Sequence, residues 1–140
     1  MKLIFNLIAE KIIRDQLTNN ASAINIIEQF NSDTFPLFFS ALNGIFLVTK
    51  EEGDPEDIEV KIVLELDGVQ LYENNLSFGF LGKKRARVMY VVNNLVIPKP
   101  GTLTSKIFVQ DDEIGEYNMD INQITKVEKM ETPIETDQES

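Results

Sequence analysis

Apolar and polar residues alternate between residues 58 and 66. Ile58, Val60, Ile62, Leu64 and Leu66 fall on one side, and Glu59, Lys61, Val63 and Glu65 on the other. A period of two puts successive side chains on opposite faces of an extended chain, so this segment predicts a strand with one buried and one mostly wet face. Asp67-Gly68 follows, a pair that favours the left-handed backbone of a tight hairpin turn. Val69, Leu71 and the residues up to Phe78 then predict the returning strand. Leu37 to Lys50 is the most apolar stretch, and its unbroken run Ile45-Phe46-Leu47-Val48 predicts a central strand covered on both faces.

The same reading extends to the rest of the chain. Leu3, Ile4, Leu7, Ile8, Ile12, Ile13 and Leu17 fit a helical spacing, while Leu3, Phe5, Leu7 and Ala9 fit a strand. The isoleucine content and the strand-like remainder favour a strand. Thr18-Asn19-Asn20 is a turn cluster, and Ala21 to Gln29, with Ile24, Ile26 and Ile27, predicts the next strand. Asn31-Ser32-Asp33-Thr34 breaks it, and Phe35-Pro36 opens a connection. Arg85 to Ile97 is a strand with Ala86, Val88, Tyr90 and Val92 on its inner face. Pro98 and Pro100 have no N–H to offer a ladder, and Gly101 permits a turn, so pairing stops there and restarts towards Gln110. Asp111-Asp112-Glu113 closes that strand, and Tyr117, Met119 and Ile121 alternate along the last. About eight strands at this spacing predict an all-β fold, an antiparallel β-sandwich, immunoglobulin-like or similar. Residues 1–124 form the sandwich. Residues 125–140 carry five carboxylates against Lys126 and Lys129, with Val127, Met130 and Ile134 too scattered to bury much, and predict an acidic, disordered tail.

Composition narrows the chemistry. At 140 residues with 43% hydrophobic content, the chain suits one domain with a true core. It has no Cys and no His, which excludes disulfides, thiolate sites, Ser-His-Asp and Cys-His catalysis, and the commonest zinc ligand. The sequence has neither a phosphate-binding glycine loop nor a nucleophile elbow. A formal net charge of −10 disfavours nucleic acid and anionic membranes as partners. Met1-Lys2 and the apolar run to Ala9 lack a small-residue cleavage site, and nothing approaches a membrane span, so the cytoplasm is the expected compartment.

Three clusters invite a functional reading. The acidic loop Glu51 to Asp57, joined by Asp111-Asp112-Glu113 if the two meet, has the oxygen ligands that calcium requires, although no spacing matches a calcium motif. The simpler expectation is that acidic loops keep sheet edges soluble. Lys83, Lys84, Arg85 and Arg87 form a basic cluster in an acidic chain. In a strand, Arg85 and Arg87 share the outer face, where they would grip an anionic ligand or an acidic partner segment. Cross-strand pairing with Glu59 or Glu65 takes precedence as an explanation, and the chain's own acidic tail is a third. Phe35-Pro36-Leu37-Phe38-Phe39 fits the capped end of a sandwich core better than an exposed patch.

Several segments, taken in order, carry a resemblance. They are Ala9 to Asp15, Ser22 to Glu28, Phe35-Pro36, Arg85 with Arg87, and Leu95 to Gly101. Over about residues 3 to 122 the chain resembles an uncharacterised family of small prokaryotic proteins known only as a domain of unknown function. The resemblance implies a small β-sandwich and brings no activity, cofactor or catalytic residue. The expected function is therefore a non-enzymatic binding or assembly module with a protein partner and no cofactor, and a homodimer through a sheet edge is compatible with it. The alternatives are a calcium- or anion-binding sandwich and a carboxylate-dependent hydrolase.

Overall fold

The computed structural model describes residues 1–125, so the expectation for the acidic tail lies outside the described residues apart from Thr125. Nine strands run in chain order: β1 (Lys2–Arg14), β2 (Ala21–Ile26), β3 (Gln29–Ser32), β4 (Leu37–Thr49), β5 (Asp57–Leu66), β6 (Val69–Gly79), β7 (Arg85–Ile97), β8 (Gly101–Val109) and β9 (Asp112–Gln123). Sheet A has the order β2-β1-β4-β7, and sheet B the order β3-β9-β8-β5-β6. The two sheets pack into a β-sandwich.

The alternation that predicts β5 also builds the core. Ile58, Val60, Ile62, Leu64 and Leu66 are all buried, facing Ile8, Phe46, Val48 and Val92 of sheet A within one cluster. Burying each such side chain contributes about 1.5–3 kcal/mol. Asp67 and Gly68 have φ of 48° and 87°, the signs a two-residue hairpin of this hand requires. The Asp67 carboxylate also accepts the Thr102 amide at 3.0 Å. A side chain at Gly101 would collide with that carboxylate, so the break after the two prolines is also a packing contact.

A polar bridge crosses the core. The buried Tyr90 hydroxyl on β7 donates to Asn6 Oδ1 on β1 at 3.0 Å, and Asn6 Nδ2 donates to Ser105 Oγ on β8 at 3.4 Å. Burial pushes the Tyr90 pKa up to about 12, so this hydroxyl stays a donor. Its ring lies directly over Gly44, where a Cβ has no room.

The structure departs from the sequence reading in three places. The run from Ala21 to Gln29 is two strands, which raises the count to nine. The Ile27 amide donates to Ile8 O in sheet A, while Glu28 O accepts the Asp120 amide in sheet B, both at 2.9 Å. The chain changes sheets between adjacent residues without Gly or Pro, and Asn31 and Ser32 belong to the new strand. That strand, β3, pairs with β9 in parallel, so the sandwich is antiparallel except for this pair. Phe38 is 63% exposed. It belongs to β4, whose alternation turns it outward while Leu37 and Phe39 pack against the core. The Phe35-Pro36 peptide bond is cis.

Candidate binding face

The outer face of sheet A is set by register. Neighbouring residues across β1, β4 and β7 form three rows: Lys2, Thr49 and Arg85; Phe5, Leu47 and Arg87; Leu7, Ile45 and Met89. Phe46 and Val48 point into the core, so these rows point away from it. The face is basic at one end and apolar along its middle.

The β1–β2 hairpin folds back over this face. Beyond Ala9, β1 leaves β4 and pairs with β2 alone. In a flat sheet β2 would stand three strand spacings from β7, about 14 Å away. Yet Arg87 Nη1 on β7 donates to Asn19 O at 2.6 Å, and Arg87 Nη2 and Arg14 Nη1 each reach Asn19 Oδ1 at 3.4 Å. The turn is built to be held. Asp15 Oδ1 accepts the amides of Leu17 at 2.8 Å and Thr18 at 3.1 Å, which lowers the Asp15 pKa, and Asn19 takes a left-handed φ of 65°. Ile45 is only 3% exposed although it faces outward. Between hairpin and sheet remains a groove of about 430 Å³, walled by Phe5, Leu7, Ala21, Ala23, Ile45 and Leu47, with Asn20 and Arg87 at its polar side.

The four basic residues named from sequence separate into two roles. Arg87 clasps the hairpin, and its Nε is buried with no hydrogen-bond partner. Lys83 and Lys84 lie in the β6–β7 connection, held by backbone bonds from Lys83 N to Phe80 O at 2.9 Å and from Lys50 N to Lys84 O at 2.7 Å. Arg85 opens β7, exposed. Lys83, Arg85 and Arg87 meet around a second groove of about 310 Å³ that also takes in Phe80, Leu81 and Asn19. Among the described residues, no carboxylate forms an ion pair with any of the four. The expected pairing with Glu59 or Glu65 does not occur, because both lie on β5 in the other sheet, and Glu65 takes Lys106 at 3.0 Å.

Charge is segregated between the sheets. The strands of sheet A carry Lys2, Lys11, Arg14, Arg85 and Arg87 against Glu10 alone, a net of +4. Those of sheet B carry eight carboxylates against Lys61 and Lys106, a net of −6.

The two acidic segments do meet at one end of the sandwich. Asp54, Asp57, Glu59 and Asp112 line a groove of about 520 Å³ beside Met1. Part of that charge is already matched: the Met1 ammonium lies 2.8 Å from Glu51 and 2.7 Å from Asp54, and Lys50 lies 2.8 Å from Glu56. The ammonium pKa is raised by Asp54 and Glu51, while Asp54 is lowered chiefly by the ammonium and Glu56 chiefly by Lys50. Among the described residues, no three acidic side chains converge as metal ligands. Elsewhere, on sheet B, Glu113 has its pKa raised first by burial and then by Glu116, with Lys106 4.0 Å away opposing the rise.

Sequence reasoning missed the hairpin clasp and the Tyr90–Asn6–Ser105 bridge. Asn19 reads as an ordinary turn residue, and nothing local links it to an arginine 68 positions away. No family model matches this chain, and no curated protein matches it in sequence.

Proposed function

We propose that this chain is a non-enzymatic, cytoplasmic binding module that docks an acidic segment of a protein partner against Lys83, Lys84 and Arg85, beside the Arg87 clasp. The observation that carries this reading is a set of cations with no ion pair among the described residues, in a chain of net charge −10. In such a chain a lysine or arginine has many carboxylates within reach, and Lys50 and Lys106 use them. Those at the β6–β7 connection are held on ordered backbone instead, with the exposed Leu81 beside them. Cations arranged on a rigid element attract a carboxylate-rich segment and fix its register.

The test is affinity capture with the full chain, comparing wild type with Lys83→Ser, Lys84→Ser and Arg85→Ser combined. A specific acidic partner retained by wild type at about 0.15 M salt and lost by the folded triple variant is the expected result. A folded triple variant that keeps every partner sinks the reading.

A further inference from the structure

The groove beneath the β1–β2 hairpin is lined mostly by apolar side chains. Six of its walls are apolar, and two of these, Ala21 and Ala23, are the small residues that β2 turns towards the sheet. Their size leaves the space open: at about 30 Å³ per water, 430 Å³ corresponds to about fourteen waters. Volume and lining lie within the ordinary range of small-ligand sites. The groove's cation is Arg87. Among the described residues no carboxylate pairs with it, and its Nε is buried without an acceptor, a costly state for a charged donor. An apolar trough bordered by an arginine whose guanidinium is held by the neutral Asn19 matches an elongated molecule with an anionic end.

We propose that this groove binds an unbranched aliphatic carboxylate of about ten carbons, its chain along Phe5, Leu7, Ile45 and Leu47 and its carboxylate on Arg87. The alanines of β2 close over the chain, so the occupant bridges hairpin and sheet. Hairpin and ligand are then coupled, since what fills the groove also replaces water beneath the clasp. The site does not depend on the acidic-segment reading, because Lys83, Lys84 and Arg85 lie outside its walls.

The test titrates the full chain with decanoate, kept below its micelle concentration, and follows the methyl signals of Ala21, Ala23, Ile45 and Leu47 by NMR. Saturable shifts confined to these methyls are expected. 1-Decanol, which offers the same chain without the charge, is expected to bind about tenfold more weakly, the value of one charged hydrogen bond. Ala23→Phe, or Ala21→Leu where the first does not fold, fills the groove and removes binding while the amide spectrum of sheet B is preserved. The Lys83, Lys84 and Arg85 triple variant binds decanoate as wild type does, which separates this site from the docking surface. Absence of saturable shifts, equal affinity for decanol, or a folded groove-filling variant with undiminished binding each overturns the proposal.

Discussion

On sheet B a lysine sits among carboxylates: Lys106 lies 3.0 Å from Glu65 and 4.0 Å from Glu113. On sheet A the five strand cations have no carboxylate partner among the described residues, and both Arg14 and Arg87 spend donors on the neutral Asn19. The two faces are separated by one sandwich core, about 10 Å, which is close to a Debye length in ordinary salt. Sheet spacing alone therefore keeps the cations of one outer face out of contact with the carboxylates of the other. On sheet B part of the charge is matched where it stands, around Lys106. On sheet A no described carboxylate matches it, and part of it holds a hairpin.

The change that breaks this comparison most completely is at the joint between the faces. Gly44→Ala puts a methyl into the Tyr90 ring, and that ring's hydroxyl leads through Asn6 to Ser105 of sheet B. Relief requires the ring to leave its place and the bridge to open. The expected loss is about 3 kcal/mol, the upper range for overpacking. Urea denaturation measures it, and both faces lose order together.

Arg87→Gln acts on sheet A alone. It removes a charged hydrogen bond to Asn19 O, for an expected cost of about 1.5 kcal/mol. Hydrogen exchange speeds up across Ala21 to Ile26 and stays slow in β5 and β8. Equal loss of protection in both sheets would show that the clasp belongs to the global fold rather than to the hairpin.

What the sequence discloses of this arrangement follows from the range of each interaction. The faces of β5, the Asp67-Gly68 turn and the shared outer side of Arg85 and Arg87 are all local, and period-two alternation exposes them. The role of Arg87 is not local, because its partner is a turn at the far side of the sheet. The sheet change at Ile27 and Glu28 occurs within an isoleucine run that reads as one strand. A third case is β7, where Tyr90 and Val92 are buried and then Leu95 and Ile97 are, a shift of one in the alternation. Asn94, with φ of 55°, absorbs it. Asn tolerates that conformation without announcing it as Gly would.

Acidification sharpens the contrast by acting on anchors at the two ends of the molecule. Asp15 holds the hairpin turn, and Asp54 and Glu56 hold the acidic end; all three have pKa values lowered from ordinary values of 3.8, 3.8 and 4.5. A lowered folded-state value means stability present above the ordinary value and lost as pH falls through the folded one. Glu113 runs the other way: its raised value contributes below 4.5 and is lost as pH rises through the folded value. Three lowered groups against one raised predict a melting temperature that declines as pH drops below about 4.5. The decline is smaller than the effect of Arg87→Gln, because these carboxylates are exposed to solvent. A melting temperature that rises over that interval would show that Glu113 outweighs the other three.

The smallest expected effect is the most discriminating. Replacing Lys83, Lys84 and Arg85 together by Ser takes the formal charge from −10 to −13, since three cations are removed. On sheet B a comparable change would strand carboxylates that now share Lys106. At the β6–β7 connection no carboxylate among the described residues is stranded, and the bonds of Lys83 and Lys84 that order the segment come from the backbone, which Ser retains. Added self-repulsion is spread over the surface and screened. Stability should therefore change by no more than about 0.5 kcal/mol, the range for surface substitutions away from structural features. A urea midpoint displaced well beyond that would assign these cations a structural role and remove the reason for seeking their partner elsewhere.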